Sequence, residues 1–395
     1  MSKNKFLQIH ALTVYGANNL NRDDLSRPKA MTFGGVPRLR ISSQCIKRAY
    51  RLSDVMAQLC TGLRSKHAWA DIGAEFVAQG HAEVDVVKAL MPIVSAFEQG
   101  KGDKAAEADS ADDAATTVEA AEATDGTDSA KPSTKSKGKS SKKAAALPTL
   151  DDLGTDALFF YGARELELIR ALMKTALESK TVPVAAEVLK QVKALPMNED
   201  VALFGRMVAG NKALSVEGAL QVAHPMTVHR AAVEDDYFTA VDDLSTDVSG
   251  GAGHLGANGF GSGVYYHYFN LDLEVLLNNL GGDVARAKKL VEAFVEAVAT
   301  VAPGGKQNSF AARSYASYLA VEVGQGQPFS YAEAFVRPVK GDNNVADAIQ
   351  ALKDTRESIF GAFPKQAPQL IELNRLERTG SLPDVQAFAV AALDA

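Results

Sequence analysis

The sequence has 395 residues, a hydrophobic fraction of 46% and a formal net charge of −6. This length suits two or three domains with an ordinary core, and no apolar run approaches the roughly eighteen residues that span a bilayer. The N-terminus lacks the apolar stretch and cleavage site of a signal peptide. The two cysteines, Cys45 and Cys60, would lie about 22 Å apart on one helix, too far for a disulfide. These features predict a reduced, cytoplasmic protein.

Apolar periodicity predicts a mixed α+β fold. The predicted strands are Phe6–Val14, Gly263–Leu273 and Ser314–Gly324. The predicted helices each have an apolar face and are residues 43–59, capped by Ser42 or Ser43, 156–179, 184–195, 281–301 and 343–363. This order is compatible with a ferredoxin-like βαββαβ core. Two insertions interrupt it, a helical one at about residues 58–200 and a glycine-rich one at about residues 230–262.

Residues 101–146 differ in composition from a folded core. They are almost entirely small, polar or charged, and Val118 is their only large apolar residue. The first part is acidic, whereas Lys131–Lys143 carries six lysines and no acidic residue. Because such a segment cannot bury enough apolar surface to offset its ordering entropy, we predict a disordered insertion in a surface loop.

Positive charge is concentrated in residues 25–53, which carry seven lysines and arginines and no acidic residue. Lys47 and Arg51 share a helix face at i, i+4 spacing. Cations near a helix N-terminus oppose the macrodipole unless an anion is present. A solvated helix face is the alternative, but the missing acidic residues favour phosphate binding. The run lacks a GxxxxGK[ST] motif, which excludes a P-loop.

The segment His229–Gly263 combines the adjacent aromatics Tyr237 and Phe238 with a glycine-rich tip. This pattern is typical of a long β-hairpin arm whose apolar residues could wedge between bases or stack on them. The alternative, which composition favours, is that both rings belong to the core. Two loops, Gly205–Lys212 and Pro303–Arg313, place cations among glycines, where a backbone can approach a ligand closely.

Enzyme signatures are missing from the sequence. It contains no HExxH, CxxC or GxSxG motif. The paired carboxylates in Asn21–Asp24 and Val241–Asp243 could hold Mg²⁺, although such pairs more often cap turns. His229 and His254 could act as general acid or base, but nothing in the sequence places a partner beside them.

Six segments resemble a known family. LNRDD, FGGVPRLRISSQCIKRA, GRM, FTAVDDL, HLG with the following F-G-SGV-Y, and PGGKQNSFAA occur in the same order in the CasC backbone subunits of type I-E CRISPR Cascade complexes, the Cas-seven family. The resemblance runs from Phe6 to about Ser317 and is loose beyond that point. Residues 101–146 are an insertion that many relatives lack.

The resemblance implies a hand-shaped α+β protein. Its parts are an RRM-like, ferredoxin-like palm, a helical fingers insertion and a long β-hairpin thumb. The implied boundaries are residues 1–57 (palm), 58–200 (fingers, with the disordered tract 101–146), 201–230 (palm and RNA-facing loop), 231–262 (thumb) and 263–395 (palm). About six copies would stack along one CRISPR RNA, each thumb displacing about every sixth nucleotide, so that target DNA pairs in short segments.

The resemblance also assigns residues to roles. Those expected to contact RNA are Arg22, Lys29, Arg38, Arg40, Ser42, Gln44, Lys47, Arg48, Arg51, Met207, Lys306 and Gln307. Those expected on the thumb are Tyr237, Phe238, Val241 and Leu255. Candidates for DNA contact are Lys174, Lys180, Lys190 and Lys193, together with the Lys131–Lys143 tract.

The expected function is a non-catalytic guide-RNA scaffold in antiviral defence. Its implied partners are CRISPR RNA, target DNA, further copies of the chain, the CasA, CasB, CasD and CasE subunits and, indirectly, a recruited nuclease-helicase. No cofactor, metal or membrane is expected. The rival hypotheses are a metal-dependent ribonuclease using Asp23 and Asp24, and a generic single-strand nucleic-acid-binding protein.

Overall fold

The structure is a computed structural model that describes residues 5–98, 148–154, 158–208, 210–240, 254–341 and 343–394. The tract 101–146 and Val241 therefore lie outside the described residues, as does the side chain of Leu255. The strands are β1 (Phe6–Asn18), β2 (Ala30–Phe33), β3 (Val36–Leu39), β4 (Leu63–Ser65), β5 (Phe159–Tyr161), β6 (Leu220–Val222), β7 (Met226–Thr227), β8 (Glu234–Ala240), β9 (His254–Asp272), β10 (Ala316–Gly324) and β11 (Gln369–Asn374).

The α-helices are interspersed with these strands, and the larger groups follow β4, β5 and β9. They are α1 (Ser43–Arg51), α2 (Ala68–Ala78), α3 (Glu83–Glu98), α4 (Ala163–Ser179), α5 (Ala185–Ala194), α6 (Glu199–Phe204), α7 (Leu273–Asn279), α8 (Val284–Thr300), α9 (Gln307–Phe310), α10 (Asn344–Ala362) and α11 (Leu382–Ala391). Among the described residues, no helix is both long enough and apolar enough to cross a membrane.

The main sheet is antiparallel and has the strand order β11–β10–β1–β9–β6, with β7 and β8 also paired to β9. Central strand β1 is buried on both faces. Leu7 and Ile9 belong to the cluster that includes Phe294 of α8, whereas Leu12 belongs to the cluster that includes Ile349 of α10. Burial on both faces explains why β1 reads as a nearly continuous apolar run.

A separate hydrophobic cluster is built only from residues between Ala68 and Leu214. Trp69 is fully buried there and meets Phe97 and Tyr161 edge to face, with ring centroids 5.1 and 5.2 Å apart. Helices α2 to α5 supply most of this cluster, and strands β4 and β5 pair beside it. The helical insertion predicted at residues 58–200 thus has apolar packing of its own.

Two predicted helices differ in the structure. Helix α1 ends at Arg51 rather than Leu59, because Ser53 Oγ donates to the Tyr50 carbonyl at 2.7 Å and short turns follow. The predicted helix at residues 156–179 contains strand β5, and α4 begins only at Ala163, after Gly162. There Glu165 Oε2 accepts from the Gly162 amide at 2.8 Å and closes the first turn.

Strand β9 starts at His254, earlier than the predicted Gly263, because its glycines hide the alternation of side chains. Its first residues pair with β8 in the register Glu234↔Phe260 to Ala240↔His254. These two segments, residues 234–240 and 254–260, form a two-stranded ribbon that we call the arm.

Candidate nucleic-acid interface

Helix α1 is anchored at its N-terminus and on one face. The Ser42 side chain accepts from Cys45 N at 3.3 Å, and Ser42 N donates to Asn21 Oδ1 at 2.8 Å. Ile46 and Tyr50 are buried in the main core. Because they occupy the inner face, the remaining positions project their polar side chains outward. Those side chains are Gln44, Lys47, Arg48 and Arg51.

The macrodipole argument from the sequence is wrong for two of these cations. Since α1 spans only Ser43–Arg51, Arg48 and Arg51 lie in its last turn, where positive charge is favourable. The helix therefore tolerates them without an anion. What favours anion binding instead is the neighbourhood of their charged ends.

That neighbourhood is a cavity of about 170 Å³, which we call the basic cavity. Its lining residues are Gln44, Lys47, Arg48, Arg51, Arg64, Phe160, Phe204 and Gly205. Arg51 Nη1 donates to the Gly62 carbonyl at 3.1 Å. Burial, with the positive charge of Arg64, lowers the pKa of Lys47. Within the described ranges, none of the four cations forms an ion pair.

Arg64 and Phe160 were missed by the sequence analysis. Both belong to the insertion, outside the basic run at residues 25–53, and they face α1 only because β4 pairs with β5. A single arginine in a three-residue strand carries no sequence signal for this position.

Arg38 requires a correction, because it was expected to contact RNA. It is fully buried, and its guanidinium donates to three backbone carbonyls: Phe335 at 2.6 Å, Thr227 at 3.1 Å and Phe33 at 3.4 Å. The bonds to Thr227 and Phe335 join the β2–β3 hairpin to β7 and to the segment that contains Phe335. A guanidinium held in this way is not available to a phosphate, so the prediction for Arg38 is wrong.

The other cations near β3 remain accessible. Arg22 is exposed and Lys29 is half-buried, and Arg40 N donates to the Lys29 carbonyl at 2.8 Å. Arg40 Nη1 lies 3.3 Å from His224 Nδ1. Arg27 forms an exposed ion pair with Asp235 of the arm at 3.0 Å. The loop before β2 is thus connected to the base of the arm.

Met207 is 89% exposed, which is unusual for an apolar side chain in a loop with buried neighbours. The preceding Arg206 is buried and bonds Glu165 Oε2 at 2.7 Å and the Leu214 carbonyl at 2.9 Å. Gly205 has a φ of +76° and lies against the Gly218 backbone, a contact that a Cβ would prevent. The loop therefore holds Met207 in solvent.

The loop before α9 packs closely on the first strand's end. Gly305 lies against the Leu20 carbonyl, and Lys306 has a φ of +51° and is half-buried. Gln307 Nε2 donates to the Pro303 carbonyl at 2.8 Å, and its Oε1 is buried. The Gln307 amide is thus turned into its own loop, and its expected contact with RNA stays a prediction.

The arm displays its aromatics. Tyr237 is 65% exposed, and Phe238 is 37% exposed with its ring over Gly256 on the facing strand. The alternative reading, in which both rings belong to the core, is therefore wrong.

The insertion lysines are exposed: Lys174, Lys180, Lys190 and Lys193. Lys174 lies 4.0 Å from Glu178 on the same helix, and Lys180 caps the end of α4 with a φ of +54°. Lys190 and Lys193 lie three residues apart on α5. The structure thus leaves all four open to solvent, without assigning them a ligand.

Two of the candidate catalytic groups, Asp23 and His229, make hydrogen bonds that stabilise the local backbone. Asp23 Oδ1 accepts from Arg27 N at 2.9 Å and caps a turn. His229 Nε2 accepts from Val264 N at 3.2 Å, while its Nδ1 lies 2.8 Å from the Arg230 carbonyl. In the residues that the structure covers, no three His, Cys, Asp or Glu side chains gather as metal ligands.

The described residues define an α+β protein in which an antiparallel sheet carries a helical insertion, an exposed arm and a basic cavity. The chain belongs to the CT1975-like protein family, whose model matches residues 7–387. A comparison with curated proteins finds no match.

Two solved structures are similar over nearly the whole chain. A chain of a "CRISPR RNA-guided surveillance complex, pre-nicking" is 27% identical, with a TM-score of 0.77, covering 98% of this chain and 100% of that one. A chain of another "CRISPR RNA-guided surveillance complex" is 23% identical, with a TM-score of 0.56 and coverages of 98% and 99%, and shows likeness of fold alone.

Proposed function

We propose that this chain is a non-catalytic backbone subunit of a CRISPR surveillance complex that binds guide RNA along its length. One observation carries the proposal: four cations without ion pairs line one cavity, in a chain that matches a subunit of such a complex over 98% of its length. The finer assignment, also proposed, is a CasC-type subunit of type I-E Cascade, acting in the cytoplasm in antiviral defence.

The strand order supports a ferredoxin-like, RRM-like palm. Strands β1, β6, β9 and β10 follow one another along the chain but lie in the order β10–β1–β9–β6, all antiparallel. Helix α1 lies in the connection from β1 to β6, and α8 in the connection from β9 to β10. A βαββαβ unit requires this arrangement. The segment from α2 to α5 is then the fingers, and the arm is the thumb.

Electrostatics would drive the binding. Each phosphate neutralised on a single strand lowers log K by about 0.7 per tenfold rise in salt, so assembly should weaken steeply as salt increases. Target sequence would be read by base pairing with the guide rather than by the protein.

Exposed apolar groups would shape the guide. Met207 is exposed in a loop that the Arg206–Glu165 pair anchors, and Tyr237 is exposed on the arm. We propose that Met207 presses on the RNA where a thumb displaces about every sixth nucleotide. About six copies would assemble in this way, with target DNA, the CasA, CasB, CasD and CasE subunits and a recruited nuclease-helicase as further partners.

The proposal treats the chain as non-catalytic. Asp23, the strongest candidate for a metal-dependent ribonuclease, already accepts a backbone amide in a turn. Incubating the assembled complex with complementary RNA and Mg²⁺ tests this directly. Periodic cleavage that disappears with Asp23→Ala would establish the enzyme and contradict our proposal.

The decisive variant for RNA binding reverses two charges of the basic cavity, Lys47→Glu with Arg51→Glu. We expect the purified protein to lose its co-purifying RNA. The control is Lys289→Glu with Arg337→Glu, which makes the same change at two exposed positions away from the cavity. RNA retained by the cavity variant at the wild-type ratio would overturn the proposal.

A further inference from the structure

The basic cavity is built from two parts of the chain. Gln44, Lys47, Arg48 and Arg51 come from α1, whereas Arg64 and Phe160 come from β4 and β5 of the insertion. We propose that this cavity holds one backbone phosphate of the guide and that Arg64 is its fourth cation, so that the bound phosphate joins the insertion to α1. This inference rests on the proposed RNA-binding function and adds a residue and a geometry to it.

The ring of Phe160 positions the two arginines. Arg64 and Phe160 are direct cross-strand partners in the β4–β5 pair. The guanidinium carbons of Arg51 and Arg64 lie 5.3 and 5.4 Å from the centroid of this one ring. Since the ring is only 4% exposed, it is a fixed surface that brings a palm arginine and an insertion arginine to the same place.

The charge of the cavity is not compensated from within. Like charges at close range repel each other, and they are stabilised when an anion enters between them. Burial lowers the pKa of Lys47, and the positive charge of Arg64 lowers it further. Outside the lining, the buried carboxylate of Asp200 accepts from Gly62 N at 2.7 Å and Val201 N at 2.9 Å, and its charge acts on Arg51 without forming an ion pair.

A second cavity of about the same volume provides a contrast. It lies beside Arg206, is also about 170 Å³ and is lined in part by Glu165. There the arginine bonds the carboxylate at 2.7 Å, so the cation is already matched. Size and the presence of an arginine are therefore not distinctive, whereas four cations that form no ion pair with any described residue are.

The bound phosphate would connect two parts of the protein that the free chain joins weakly. Apart from ring contacts, the hydrogen bond described between α1 and the segment around β4 runs from Arg51 to the Gly62 carbonyl. A phosphate that accepts from Arg48 or Arg51 on one side and from Arg64 on the other adds charge-assisted bonds across this gap. Guide binding should then slow amide hydrogen exchange in residues 62–65.

The test measures affinity of the full chain for labelled CRISPR RNA over a range of salt concentrations. Arg64→Ala should weaken binding about tenfold, and the slope of log K against log salt should shrink by about 0.7. Arg64→Lys should keep the slope but recover only part of the affinity, because an ammonium lacks the planar fork that stacks on Phe160. Arg337→Ala, an exposed arginine outside the cavity, should leave both quantities unchanged.

The RNA-binding function and the role of Arg64 can be contradicted separately. If wild-type protein binds no RNA, the proposed function is wrong. If wild type binds, the Lys47 and Arg51 reversal abolishes binding and Arg64→Ala matches wild type in affinity and slope, only the role of Arg64 is wrong. Because Arg64 is exposed, its replacement should leave Tm unchanged, so a loss of affinity cannot be attributed to unfolding.

Discussion

The guanidinium of Arg206 donates to both carboxylate oxygens of Glu165, at 2.7 and 2.9 Å, and both side chains are buried. Glu165 lies in the first turn of α4, whereas Arg206 lies in the loop that displays Met207. The pair therefore fixes the loop that displays Met207 against the insertion.

Removing one partner of this pair should be costly. Glu165→Ala leaves a buried guanidinium without its carboxylate, and we expect the free energy of unfolding to fall by about 3 kcal/mol. The matched control is Glu75→Ala, which breaks an exposed Arg–Glu pair with Arg170, also at 2.7 Å, and should cost under about 1 kcal/mol. Chemical denaturation measures both, and equal losses would contradict the buried role.

Arg38 should behave as a structural residue. Arg38→Ala removes a cation that holds three carbonyls, so we expect the free energy of unfolding to fall by about 3 kcal/mol. Refolded or residual folded protein should still bind RNA with the wild-type salt slope, since no phosphate contact is lost. A stable Arg38→Ala protein with a smaller slope would return Arg38 to the RNA-binding set.

Met207 should contribute to RNA binding through apolar contact and not through charge. Met207→Ser changes a side chain that is 89% exposed, so stability should stay within about 0.5 kcal/mol of wild type. Affinity for CRISPR RNA should fall a few-fold, while the salt slope stays constant because no cation is removed. Salt titration of binding separates the two effects, and a changed slope would show that the loop itself had moved.

Glu322 should make stability depend on pH. It is buried beneath the Tyr331 hydroxyl, and burial raises its pKa from 4.5 to about 7. The folded state therefore favours the protonated acid, and the stability that Glu322 contributes is full below about pH 4.5 and lost as pH rises through about 7. Glu322→Gln should gain about 2 kcal/mol relative to wild type between pH 5 and pH 8.

Titration of the buried histidines His10 and His267 does not account for this pH-dependent difference in stability. Burial lowers the pKa of His10 and of His267 to about 3. The free energy of unfolding that each contributes is therefore lost as pH falls below about 6.5. His10 is thus neutral at pH 7, and its 3.8 Å contact with Glu322 is not an ion pair there. Above about pH 6.5 both histidines are neutral in the folded and unfolded states, so the gain between pH 7 and pH 8 is free of their titration. Glu292→Gln, at an exposed carboxylate, should show no such gain.

The sequence predicted the strands that are buried on both faces and the long amphipathic helices, because these carry the strongest periodic signals. Prediction was weaker where another part of the chain decides the outcome. Strand β9 begins nine residues early because its partner β8 continues the ladder through glycines that lack a pattern. Helix α1 ends at Arg51 because one serine hydroxyl takes a carbonyl of its last turn.

The residues of the candidate site were also predicted only in part. The acid-free run contributes three cations to the basic cavity, yet it also contains the buried Arg38 and, two residues further on, the half-buried Arg40. Residues two apart on one strand share a face, so alternation predicts similar surroundings for Arg38 and Arg40, and they differ because β3 ends at Leu39. Arg64 could not be predicted, since the fold of the insertion alone brings it to α1.

The central claim is that copies of this chain bind guide RNA in a fixed register. Nuclease footprinting of the RNA in the assembled complex tests it most directly. We predict accessible nucleotides that recur about every six positions, one for each bound protomer. Uniform protection, or accessible positions without a regular spacing, would contradict the account.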